Sequence, residues 1–206
     1  MRNKILLAVV LFMTAMASAT TFTLTGTGGQ SIGGYQIFPY YGQLDNGPTI
    51  KVACNDFTTT VGIPSTWDAT IIDLSLGDVS NAKFGSLTDA LRNYEVAFYL
   101  IDKFATSPDT AGLQLSIWCI FDAGDPTLQN VIIANGYFGD VASWLTAGFA
   151  DAPTDLSAYA GDYIITPVPG SSGQEQLWAT PEPTSLMLLG SGILGLAGIL
   201  RKRLLL

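Results

Sequence analysis

The run from Thr184 to Leu200 is apolar throughout, with Thr and Ser as its only polar members, and Arg201-Lys202-Arg203 follows at once. A helix on the surface of a soluble domain needs a polar face, and this run has none. Its length falls in the range of about 17–25 residues that crosses a hydrocarbon core of roughly 30 Å. The basic cluster belongs on the cytoplasmic side. Gly190, Gly192, Gly195 and Gly198 are tolerated in a membrane helix and let neighbouring helices approach. The other end carries Arg2 and Lys4, then an apolar run from Ile5 to Met13, then Ala17-Ser18-Ala19. That order describes a secretory signal peptide cut after Ala19. The sequence therefore divides into a signal peptide over 1–19, an extracytoplasmic domain over 20–178 and a C-terminal segment over 179–206. In that segment a transmembrane helix is expected over 184–200.

Pro181-Glu182-Pro183 stands directly before the apolar run. Two prolines hold the chain extended there, in the form a processing enzyme grips. The order Pro-Glu-Pro, apolar helix, Arg201-Lys202-Arg203 resembles the PEP-CTERM sorting signal of Gram-negative bacteria. That resemblance implies a membrane-embedded exosortase as partner. It also implies export to the cell surface or extracellular matrix, often alongside exopolysaccharide in a biofilm. Leu204-Leu205-Leu206 departs from the family's usual short ending.

Charge narrows the body's partners. Of nine basic residues only Lys51, Lys83, Arg92 and Lys103 lie between the two end segments, against sixteen of the seventeen acids. Phosphate binding needs clustered Lys and Arg, so nucleic acid is not an expected partner. The chain has no histidine. That removes Ser-His-Asp and Cys-His catalysis and His-based zinc sites. Two cysteines are too few for an all-Cys zinc site, and no metal or cofactor is expected. Asp122 and Asp125 are a conceivable glycosidase pair, but aspartates in a Gly/Pro turn are ordinarily turn formers. A non-enzymatic protein is expected.

Within the body, Thr21–Thr25, Tyr35–Tyr41, Thr49–Val61 and Trp67–Leu76 read as strands separated by Gly, Pro and Asn turns. Apolar residues at 87, 90, 91, 94, 97, 98 and 101 predict a helix over Leu87–Phe104, capped by Ser86. A second helix is expected over Thr110–Phe121, and a third helical region over Leu128–Phe149, broken near Asn135-Gly136. Strands return at Asp162–Thr166 and Gln174–Trp178. The expected fold is α+β: a β-rich N-terminal part and a C-terminal strand pair packed with a central group of about three helices.

Two stretches carry candidate chemistry, Val52-Ala53-Cys54-Asn55-Asp56-Phe57 on a predicted strand and Leu113-Gln114-Leu115-Ser116-Ile117-Trp118 on a predicted helix. Gln114 and Trp118 are four apart and share a helix face. Asp56 is expected on the same strand face as Cys54. The pair of stretches resembles the motifs of bacterial thioester domains, in which a Cys precedes an apolar–Gln–x–x–apolar–Trp segment. The Gln stretch fits at every position. Around Cys54, Ala53 replaces an aromatic residue and Asn55 an apolar one. The resemblance implies Cys54 as nucleophile, Gln114 as acyl donor and Trp118 as lid of an internal thioester, later attacked by surface amines. Two other states of the same sulfur stay open: a Cys54–Cys119 disulfide, common in exported chains, and free thiols.

Overall fold

The computed structural model describes residues 20–180. The cleavage residues Ala17 and Ala19, the apolar run 184–200 and Pro181, Glu182, Pro183, Arg201, Lys202 and Arg203 lie outside them. Among the described residues no helix is long and apolar enough to cross a membrane.

Eight strands are formed: β1 (Thr20–Thr27), β2 (Ser31–Ile32), β3 (Tyr35–Gln36), β4 (Tyr40–Leu44), β5 (Ile50–Cys54), β6 (Ser65–Asp73), β7 (Asp162–Pro167) and β8 (Gln176–Ala179). Six of them close into an antiparallel barrel in the order β1-β4-β5-β8-β7-β6, while β2 and β3 pair as a short separate hairpin. Alternation along each strand sorts the side chains. Phe22, Leu24, Tyr40, Val52, Cys54, Trp67, Ala69 and Ile165 form one buried cluster inside the barrel. The opposite faces of the same strands, with Ala53, Ile72, Ile164 and Leu177, join the helices in a second core. Gly42 has no side chain because Phe22 fills its place, and a Cβ there would overlap the Phe22 ring.

Four helices cover that outer face: α1 (Ala90–Lys103), α2 (Thr110–Asp122), α3 (Pro126–Ala134) and α4 (Phe138–Asp151). Helix α2 is apolar on nearly every side, as a helix at the centre of a core must be. Its residues 112–119 are all buried, and it touches α1, α3, α4 and β5. Asp109 caps α2 through the Gly112 N–H and also accepts from the Trp144 indole at 2.8 Å. Asp125 caps α3 from just before Pro126, whose missing N–H costs nothing at a first helical position.

The α+β expectation holds in this β-rich form, with differences of detail, among them that the strand expected over Tyr35–Tyr41 is divided between β3 and β4. The region 128–149 breaks near Asn135-Gly136 as expected, where Gly136 takes a left-handed φ of 77°, and its two parts are separate helices, so the helices number four among the described residues rather than about three. Helix α1 starts at Ala90 rather than Leu87, and Ser86 does not cap it. Successive turns from Val79 to Ala90 lead into Asp89, whose φ of 56° interrupts helical geometry. The strand expected over Thr49–Val61 stops at Cys54. Asp56 is therefore not on a strand face with Cys54. It sits in the turn beyond, where its carboxylate accepts from the Thr59 N–H at 3.1 Å.

Candidate functional site

Cys54 ends β5 and is fully buried. Gln114, on the face of α2 that meets β5, is also fully buried. Its carboxamide nitrogen donates to the Cys54 carbonyl at 2.7 Å, and its oxygen accepts from the Phe38 N–H at 3.3 Å. Both polar ends of a buried amide are thus satisfied, which fixes its plane. The fold brings together two residues 60 apart in the chain and sets the Gln114 side chain against the backbone of Cys54. The Cys54 thiol donates to the Asp56 carbonyl at 3.3 Å. Burial, then the Asp56 charge, raise the pKa of this thiol well above the usual range and hold it protonated.

Trp118 lies one turn along α2 from Gln114 and is 2% exposed. Its indole ring packs on Phe57 at 5.1 Å and edge-on to Tyr35 at 6.5 Å. The indole nitrogen is buried without a full hydrogen bond, yet lies close enough to the Cys54 sulfur to favour the thiolate. A cavity of about 170 Å³ opens beside this ring, lined by Tyr35, Tyr40, Phe57, Thr59, Trp118 and Gln174 among others. Cys54 does not line it, whereas Trp118 does.

Cys119 is a separate matter. It belongs to the cluster of Phe57, Leu115, Trp118 and Leu128, away from the barrel interior that holds Cys54. In this structure both thiols are buried and unbonded to each other. Burial and the Asp122 charge push the Cys119 thiol up to about 11. Asp122 itself accepts from the Phe57 N–H at 2.9 Å, and burial raises its carboxyl above the usual range. With Asp125 engaged as a helix cap, the two carboxylates serve the turns they stand in.

A second polar group adjoins the Cys54 turn. Asp56 and Glu175 are both fully buried. The Lys83 ammonium reaches Asp56 Oδ2 at 2.5 Å, and the Glu175 N–H donates to the same oxygen at 3.3 Å. Glu175 accepts from the Tyr94 hydroxyl at 2.6 Å, the Asn55 amide at 2.7 Å and the Lys83 N–H at 2.8 Å. Burial raises its carboxyl above the ordinary range, against the pull of those donors. Gln174 bonds the carbonyls of Asp56 and Thr59, both at 2.7 Å. Sequence reasoning passed over Lys83, Tyr94 and Glu175. The one available signal was scarcity, since Lys83 is one of four cations in the body. Among the described residues no group of His, Cys, Asp or Glu is placed to hold a metal ion.

No curated protein matches this chain. Among solved structures it is similar to the N-terminal thioester domain of fibronectin-binding protein SfbI from Streptococcus pyogenes, at 15% identity and a TM-score of 0.46, covering 79% of this chain and 94% of that one. The N-terminal domain of the Streptococcus pyogenes pilus tip adhesin Cpa is similar at 12% identity and a TM-score of 0.46, over 79% of this chain and 93% of that one. The N-terminal thioester domain of a surface protein from Clostridium perfringens is similar at 12% identity and a TM-score of 0.47, over 78% and 99%. At the C-terminus, residues 179–203 match the PEP-CTERM protein-sorting motif. The chain thus carries a PEP-CTERM sorting motif behind a body that resembles bacterial thioester domains.

Proposed function

We propose that this is a non-enzymatic protein of a Gram-negative cell surface or extracellular matrix, delivered there by an exosortase that recognises its tail. The observation that carries this reading is the sorting motif over 179–203. The motif implies export, and a processing enzyme of the exosortase type follows from it. Removal of the tail would leave the body as the working protein. Its strong acidity suits a soluble surface component rather than one held to anionic lipid. The test is fractionation of a tagged chain in a host with and without its exosortase. Tail-dependent surface delivery that disappears in the exosortase-deficient host is expected. Retention of the body in the cytoplasm of the intact host overturns the proposal.

A second reading has one observation in its favour, the 2.7 Å contact between the Gln114 carboxamide and the Cys54 carbonyl. In this reading the protein is a covalent adhesin. The Cys54 sulfur attacks the Gln114 side-chain carbon, a C–S bond forms and the C–N bond breaks. The thiol proton leaves with the nitrogen as ammonia. Trp118 shields the product from water until a surface amine reaches it through the cavity beside Tyr35 and Phe57. Intact mass decides: loss of one ammonia, about 17 Da, that vanishes in Cys54→Ala supports it. A full mass with Cys54 freely alkylated after unfolding removes it.

A further inference from the structure

The charge group beside Asp56 has features that an ordinary ion pair does not need. We propose that Lys83 and Asp56 join in an intramolecular amide, a covalent cross-link between the turn after β5 and the loop before α1. The Lys83 nitrogen is already 2.5 Å from Asp56 Oδ2. The carboxylate is immobile: Thr59 N–H and Thr58 hydroxyl hold Oδ1 at 3.1 and 3.4 Å, and Glu175 N–H holds Oδ2. Groups held this way react as if at about 10⁵–10⁸ M, which offsets the poor reactivity of a carboxylate toward an amine.

The surroundings favour the neutral product. Asp56 is fully buried, and a buried ion pair pays heavily for its lost hydration. Phe84 lies with its ring 5.5 Å from the Lys83 ammonium and packs at a tilt against Phe121. Conversion to an amide removes both charges at once. In the balanced step the Lys83 nitrogen bonds to Asp56 Cγ and one Cγ–O bond breaks. The two protons lost by the ammonium leave with that oxygen as one molecule of water. The Glu175 N–H is aimed at the oxygen on which negative charge grows during attack. Glu175 also fixes the Lys83 backbone through its Oε2 at 2.8 Å, so it positions nucleophile and acceptor together. The Lys83 side chain is 31% exposed and borders a polar cleft with Thr59, Ser80 and Thr166, a path by which the released water departs.

The test is the intact mass of the full chain under denaturing conditions, followed by peptide mapping. Loss of one water, about 18 Da, is expected, with one branched peptide joining the segments of Asp56 and Lys83. Lys83→Arg keeps the charge and cannot form the amide, so it restores the full mass; Glu175→Gln slows the loss. A wild-type mass with no water missing and a Lys83 that acylates freely in denaturant overturns the proposal, whatever the variants do. The result is separable from the Cys54–Gln114 reading. Ammonia loss depends on Cys54, and hydroxylamine cleaves a thioester to a free thiol and a hydroxamate, adding about 33 Da, whereas the amide survives it.

Discussion

Glu175 is a carboxyl whose surroundings favour its protonated form, and that preference has a measurable sign. Its folded pKa lies above the ordinary value of 4.5 because burial outweighs its donors. The folded state therefore holds a proton that the unfolded chain has released. The associated stability is fully present below about 4.5 and declines as pH rises through the folded value. Asp122 acts in the same direction. Urea midpoints are expected to fall as pH rises above 4.5, and Glu175→Gln should flatten part of that slope, with the Asp122 part remaining. An unchanged slope in the variant would remove Glu175 from this account. Gly42 makes a second case. Gly42→Ala drives a methyl into the Phe22 ring inside the barrel, and overpacking of this kind costs about 1–3 kcal/mol, readable as a lowered thermal midpoint. Neither site was legible in the sequence. Lys83 and Glu175 are 92 residues apart and Asn55 and Glu175 are 120 apart, so nothing local marks them as neighbours. Cys54 and Gln114 could be paired from the sequence because the two stretches that hold them resemble paired motifs, and the fold sets them in contact.

Helix ends tell a similar story at the next scale. The C-terminus of α4 is closed by a residue of another helix. Arg92 of α1 donates to the carbonyls of Phe149, Ala152 and Pro153 and to the Glu95 carboxylate. Free carbonyls at a helix end carry partial negative charge, so a guanidinium is well matched to them. Charge-assisted bonds of this type contribute about 1.5–3 kcal/mol in total when lost together with their burial. Arg92→Ala is expected to destabilise the domain by that order in urea titration. It should also speed amide exchange at Gly148 to Ala152 before the rest of α4. Arg92→Lys should recover only part, because a single ammonium cannot span three carbonyls. The helices themselves were readable from apolar spacing, whereas the cap at Asp125 starts α3 two residues before the expected Leu128. The start of α1 was not readable, since the left-handed turn at Asp89 leaves no mark in a pattern of apolar positions.

For the molecule as a whole, the decisive pairing is β8 with both β5 and β7. The strands could be read one by one from alternation, but closure could not. It depends on Cys54 lying opposite Gln176, a long-range register that strand patterning does not encode. A chain ended before Glu175 loses the strand that closes the barrel together with the carboxyl that organises Asn55, Tyr94 and Lys83. Such a chain is expected to be insoluble or to lack a cooperative unfolding transition. A chain ended after Thr180 should fold with the stability of the full body, and circular dichroism melts of the two would distinguish them.

The last described residue is held as firmly as the strand before it. Thr180 bonds the Gly161 carbonyl twice, through its N–H at 3.0 Å and its hydroxyl at 2.9 Å. The sorting motif begins at residue 179, so the two overlap. The folded body thus extends into the first two residues of the matched motif. Any pull applied to the tail, by a membrane or by an enzyme drawing it in, reaches β8 first. That strand is paired on both edges, so freeing it means breaking two ladders rather than one. The same closure that completes the barrel would make the body a stiff handle for whatever grips its tail.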